Sequence, residues 1–209
     1  MPGQHQTRTV PTTSEYRQTQ EKAMDFMLNL ALGAISLLFV GLTFAYTFGR
    51  RLSENWETFN LPKTFWLSTL LLVGTSAAFQ YARKGYRNDD SKALRRGLWF
   101  AFAGGIGFLL SQFIGWNQLA ATGNTLTNNP SASYLYLISW LHAAHVAVGL
   151  VFLGFSLQTA LRCTRDDIQS LLFFSDASRA RRLRMVSQYW HVVDGLWIYL
   201  FVFFLFFHS

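Results

Sequence analysis

Apolar residues fall in five long blocks along the chain, roughly 26–48, 64–81, 98–119, 134–161 and 186–207, with short polar stretches between them. At ~1.5 Å of rise per residue, a helix over the first block is long enough for a hydrocarbon core of ~30 Å. Each block predicts a transmembrane helix. The fold class expected is an all-α integral membrane protein, a bundle of five transmembrane helices over 23–209, behind a polar arm over 1–22. The arm is rich in Thr, Gln and Arg, with Pro2 and Pro11. It predicts a disordered or surface-lying segment, and it lacks the apolar run of a cleavable secretory signal. One further apolar piece, Leu171 to Phe174, is too short to cross and is expected at the membrane interface.

Small residues recur at four-residue spacing in the third block. Ala103, Gly107, Ser111 and Gly115 make one line, and Gly97, Ala101 and Gly105 another. Such lines let membrane helices approach closely, which predicts an interior helix. Gly33 and Gly41 give the first block a smaller version. The stretch 117–133 carries no charge and is built of Gly, Asn, Thr and Ser around Pro130, as a turn-rich connection is.

Composition agrees with a membrane protein. The chain is 51% hydrophobic and only 14% charged, against ~25% in soluble domains. The net charge of +7 raises the question of nucleic acid, but the basic residues cluster in loops between apolar blocks. Among the 18 Lys and Arg, all except Arg50, Arg51 and Lys63 belong to the arm, the second loop or the fourth loop. Five crossings put those three segments on one side, so positive-inside places the N-terminus in the cytoplasm and the C-terminus outside. The one cysteine, Cys163, allows no internal disulfide, and there is no CxxCH haem-attachment run.

Ionisable groups inside spans are costly and mark candidate sites. His142 and His145 share a face of the fourth span with Gly149, and His191 and Asp194 share a face of the fifth. Gln112 lies deep in the third and needs a hydrogen-bond partner. Haem ligation, a proton relay and a metal site are all conceivable for these residues. Helix direction argues against a shared centre, because it sets His142 in the outer half and His191 and Asp194 in the inner half. Hydrogen bonding between helices is the simpler account. Tyr189, Trp190 and Trp197 are expected to be interface and packing aromatics. Arg181, Arg182 and Arg184 precede the last span and could meet anionic lipid head groups.

Taken together, several motifs resemble those of subunit III of haem–copper respiratory oxidases. Tyr189-Trp190-His191-Val192-Val193-Asp194 followed by Trp197 is similar to that family's last-helix signature, and Leu141-His142-Ala143-Ala144-His145-Val146 with Gly149 to its paired-histidine helix. Gly41-Leu42 through Ala45-Tyr46, Thr69-Leu70-Leu71-Leu72 with Thr75-Ser76, and Gln112 resemble parts of three further helices. The likeness runs from about Phe26 to Phe207 and matches the family's five-helix form. Two carboxylates common in the family are missing, since Ile35 and Gly115 stand at their places.

The resemblance implies an accessory subunit, without a catalytic centre or redox cofactor of its own, in a proton-pumping terminal oxidase of the bacterial inner membrane. Haem and copper are then expected in partner subunits. Subunit I is the expected main contact, alongside other oxidase subunits and phospholipid, with no nucleic acid. It also implies support of proton uptake and of the catalytic subunit's stability. A nitric oxide reductase-associated member of the same family and a small haem-binding electron carrier are the alternatives. A transporter is disfavoured because the spans show no internal repeat.

Overall fold

The structure is a computed structural model that describes residues 13–53, 56–164 and 167–208. Within them the chain forms six α-helices: α1 (Thr13–Leu52), α2 (Thr64–Arg87), α3 (Ser91–Ala121), α4 (Pro130–Cys163), α5 (Asp167–Ser175) and α6 (Ala177–His208). By length and composition, α1 from Gln18, α3, α4 and α6 can each cross a membrane. Helix α2 is not in that set. Ser68, Thr69, Thr75, Ser76 and Gln80 dilute its apolar run.

The helices outrun the apolar blocks at their charged ends. Helix α1 starts at Thr13, inside the segment expected to be a polar arm, while residues 1–12 of that arm lie outside the described residues. The basic second loop is mostly helical. Arginine and lysine are good helix formers, so α2 continues to Arg87 and α3 begins at Ser91. The turn between them is tight. Asp89 adopts φ 54°, a left-handed conformation that Asp tolerates better than most residues. The Asp90 side chain accepts the Lys92 and Ala93 N–H groups and so caps α3. Helix α4 starts in the same manner, with Asn129 accepting the Ser131 N–H and Pro130 in the first turn. The piece expected at the interface is α5, and Leu171 and Leu172 stand exposed on it.

Helices α2 and α3 run antiparallel at very short range. A Cβ on Gly97 would stand 2.6 Å from the Ala82 nitrogen, one on Gly104 2.4 Å from Thr75, and one on Gly115 2.5 Å from the Phe65 ring. Ser68 and Ser111 hydrogen-bond across the seam at 2.7 Å. The small residues of α3 thus serve an interior contact, although Ala103, in one of the two lines, is exposed. On the other flank, Gly105 lies against Leu150 of α4 and Trp190 of α6.

Of the four membrane-length helices α1 is the least buried, and it runs parallel to α6. The pairs Glu21–Arg181, Asp25–Arg184, Asn29–Gln188, Thr43–Tyr199 and Tyr46–His208 follow in order along both. At the far end, His208 Nε2 reaches the Tyr46 hydroxyl at 2.8 Å and Ser131 Oγ at 3.3 Å, tying α6 to α1 and α4. The outward face of α1 is apolar: Phe26, Leu37 and Phe44 are 68–73% exposed. Such a face is stable only in lipid or against another protein.

Candidate functional site

The buried centre lies where α6 meets α2, α3 and α4. Trp190 and Trp197, two turns apart on α6, are among the largest fully buried side chains. An indole N–H in a membrane interior needs an acceptor, since hydrocarbon offers none. Helix α2 supplies both. Trp190 Nε1 donates to Thr75 Oγ1 at 3.2 Å, and Trp197 Nε1 to Thr69 Oγ1 at 3.0 Å. His191 Nδ1 lies 2.8 Å from the adjacent Ser76 hydroxyl. The Tyr189 hydroxyl donates to the His145 backbone carbonyl at 2.9 Å, joining α6 to α4.

His142 packs against Trp197. The two rings are 5.1 Å apart and tilted by 33°, with the edges of Phe108 and Phe39 closing round the imidazole. Aromatic contacts of this kind add roughly 0.5–1.5 kcal/mol beyond burial. His142 is fully buried, and neither ring nitrogen has a hydrogen-bond partner among the described residues. Its helical neighbour His145 turns away: Nδ1 lies 2.7 Å from the Leu141 carbonyl and the ring meets the edge of Phe39.

The candidate residues therefore divide. Tyr189, Trp190, His191 and Trp197 are brought onto hydrogen-bond partners of α2 and α4. His142 joins them through ring contact. Gln112 and Asp194 are buried; the Gln112 amide has no hydrogen-bond partner among the described residues, and the Asp194 carboxylate interacts with the Ser76 hydroxyl without reaching ordinary hydrogen-bond geometry. His142 and His191 contact different partners and do not converge on a shared atom. Among the described residues, no group of three or more His, Cys, Asp or Glu side chains is placed to hold a metal ion. Of the arginines before the last span, Arg181 pairs with Glu21 and Arg184 with Asp25. Arg182 has no ion-pair partner among the described residues.

Sequence reasoning had not assigned partners to the hydroxyls of α2. Thr69, Thr75 and Ser76 were visible only as a motif, with no reason for its polarity. The reason is their position opposite Trp197, Trp190 and His191. The ion pairs were also missed, although Glu21, Asp25 and Asn29 at four-residue spacing match Arg181, Arg184 and Gln188 along a parallel helix.

No family model matches the chain. Curated relatives do. It is 29% identical to the cytochrome c oxidase subunit 3 of Bacillus sp. (strain PS3) over 202 residues, covering 92% of this chain and 90% of that one. It is 28% identical to cytochrome c oxidase subunit 3 of Thermostichus vulcanus over 169 residues, or 79% and 78% of the two chains. A probable cytochrome c oxidase subunit 3 of Mycobacterium leprae is 31% identical over 133 residues, 64% of this chain and 61% of that one. With four helices able to cross a membrane, these bacterial relatives make the chain a multi-pass protein of the bacterial plasma membrane. The motif set and the relatives agree over most of the length, and the chain is similar throughout it to subunit 3 of bacterial cytochrome c oxidases.

Proposed function

We propose that the chain is a non-catalytic accessory subunit of a terminal oxidase that reduces oxygen to water and pumps protons. The observation that carries this reading is the use of the polar residues of α6. Trp190, His191 and Trp197 are engaged by Thr75, Ser76 and Thr69, so the residues that first look like chemistry act as ties between helices. Haem and copper belong to partner subunits in this reading. The chain packs on subunit I, holds phospholipid, and supports proton uptake and the durability of the catalytic subunit. The names of its relatives favour this over an electron carrier.

The reading includes five crossings, with the N-terminus in the cytoplasm and the C-terminus outside, a short arm over 1–22 and one transmembrane unit over 23–209. Two observations support the fifth crossing. Helix α2 lies alongside α3 from Phe65 against Gly115 to Gly85 against Leu94, a rise of ~30 Å. The parallel course of α1 and α6 also requires an even number of reversals between them, which α2, α3 and α4 supply. The charge asymmetry supports the orientation.

Purification of the tagged chain from membranes tests the proposal. A haem–copper subunit and its Soret absorption should co-purify with it. A chain that is stable, abundant and free of any such partner would overturn the reading.

A further inference from the structure

Asp194 is the carboxyl that the bundle encloses. On α6 it lies about one turn after Trp190 and one turn before Trp197, whose indoles are bonded to Thr75 and Thr69 of α2. It is 5% exposed and belongs to none of the ion pairs among the described residues. Its polar neighbour is the Ser76 hydroxyl of α2. That hydroxyl is shared, because Ser76 Oγ also lies 2.8 Å from His191 Nδ1. The His191 ring in turn lines a cleft of about 430 Å³ with Arg83 of α2 and Arg184, Ser187, Gln188 and Val192 of α6. Carboxyl, hydroxyl and imidazole thus stand in series, from the α2–α6 seam to a cleft at the arginine-rich end. The charges facing this series lie at its outer end. Arg83 stands at the cleft, and Arg184 is paired with Asp25 of α1. Residues 26–49 of α1 and 97–121 of α3 include no Asp, Glu, Lys, Arg or His. From α4, His142 packs on Trp197, Phe108 and Phe39, and His145 is turned to the Leu141 carbonyl.

A carboxylate buried in hydrocarbon without a counter-ion keeps neither its hydration nor a partner charge, whereas a carboxylic acid keeps a donor that a hydroxyl can accept. We propose that Asp194 is a proton-binding site that exchanges its proton with the cytoplasmic side through Ser76 and His191. This rests on reading α2 and α6 as crossings whose arginine-rich ends are cytoplasmic. The exchange balances. His191 takes a proton on Nε2 from water in the cleft and gives up the one on Nδ1 to Ser76 Oγ. Ser76 passes its own proton to the Asp194 carboxylate. The ring ends as the other tautomer, now accepting from Ser76 at Nδ1, so the 2.8 Å contact serves both states. The last transfer needs the Asp194 side chain to close on Ser76, which it already faces. The reverse sequence returns the proton. On the α4 side no such series continues, because neither His142 nitrogen has a hydrogen-bond partner among the described residues. The site is a store with one mouth rather than a path across the membrane.

The test is infrared difference spectroscopy of the chain with its co-purifying subunits in membranes. The unmodified protein minus Asp194→Asn should show the carbonyl band of a carboxylic acid at neutral pH. Transfer to heavy water should shift that band as the proton exchanges. His191→Phe keeps a ring but cannot relay a proton, and should slow the shift at least about a hundredfold. Ser76→Ala should slow it as well, and Ser76→Thr, which keeps the hydroxyl, should restore it. His142→Phe should leave the rate unchanged. A difference spectrum without the acid band overturns the proposal, because Asp194 is then ionised. An unchanged rate in His191→Phe overturns it too, and that variant decides the matter if Ser76→Ala fails to assemble. Slowing in Ser76→Thr equal to that in Ser76→Ala also overturns it, because the effect is then one of packing. Slowing in His142→Phe overturns the single mouth. Whether a haem–copper subunit is present is scored separately in the same preparation, so the accessory-subunit reading and the proton site can fail independently.

Discussion

Replacing Gly97 by alanine adds one methyl group where α2 and α3 are closest. Its carbon would stand 2.6 Å from the Ala82 nitrogen and 2.7 Å from the Ala78 carbonyl oxygen. Both are backbone atoms, so no rotamer change relieves the contact. Ordinary van der Waals contact begins near ~3.4 Å, so the helices must part by about 0.8 Å. That gap also loosens Thr75 against Gly104 and Phe65 against Gly115, further along the same seam. Overpacking costs ~1–3 kcal/mol, and a backbone contact takes the upper end. The better helix propensity of alanine returns ~1 kcal/mol. The expected net loss is ~2 kcal/mol. Gly33→Ala is the internal control. A Cβ at Gly33 meets nothing within 4 Å, so propensity alone acts and the variant gains ~0.5–1 kcal/mol. Titration of each variant from mild detergent into SDS, followed by far-ultraviolet circular dichroism, should separate the two by nearly ~3 kcal/mol. If Gly97→Ala unfolds no earlier than Gly33→Ala, the close α2–α3 approach is wrong.

The indole ties can be measured by a double-mutant cycle in the same assay. Trp197→Phe and Thr69→Val should show a coupling of ~0.6–1.7 kcal/mol, the range of hydrogen bonds between membrane helices; a coupling indistinguishable from zero would remove the tie. His142→Phe should stabilise the chain by ~1 kcal/mol, because it keeps a ring against Trp197, Phe108 and Phe39 and removes two buried nitrogens that have no partner among the described residues. A loss of that size or more would mean the imidazole bonds to a group outside the described residues.

The length of the apolar blocks was sufficient to read four of the membrane helices, because bilayer thickness sets that length. Their ends were less legible. Hydropathy stops at the first arginine, whereas a helix stops only when its backbone loses the next hydrogen bond or meets a cap such as Asp90 or Asn129. Hence α1 reaches back to Thr13, and Arg179 to Arg184 form the first turns of α6 rather than a loop. The small-residue lines in α3 correctly announced close packing. They did not say against what, since one helix can present glycine to two neighbours, as Gly97 does to α2 and Gly105 to α4 and α6.

The polar residues of the spans were harder to interpret, for a reason that lies in the solvent. In hydrocarbon an N–H without an acceptor is expensive whether it serves chemistry or packing, so sequence alone marks both alike. Partners decide between them, and partners are a matter of register. Trp190 and Trp197 are seven residues apart on α6; Thr75 and Thr69 are six apart on α2, in the reverse direction. By helical rise these separations are ~10.5 Å and ~9 Å, close enough for both bonds to form together. Two bonds nearly two turns apart fix the rotation of α6 as well as its depth, and a slip of one turn along α2 would break both. Ser76 beside Thr75 brings His191 into the same register. With α6 so fixed, Trp197 presents its ring to His142 and Tyr189 its hydroxyl to the His145 carbonyl, so α4 is placed by the same helix. The signature of the last helix is therefore a docking code whose other half is the threonine and serine motif of α2. It predicts that substitutions at Thr69, Thr75 or Ser76 act on assembly of the bundle before they act on any reaction.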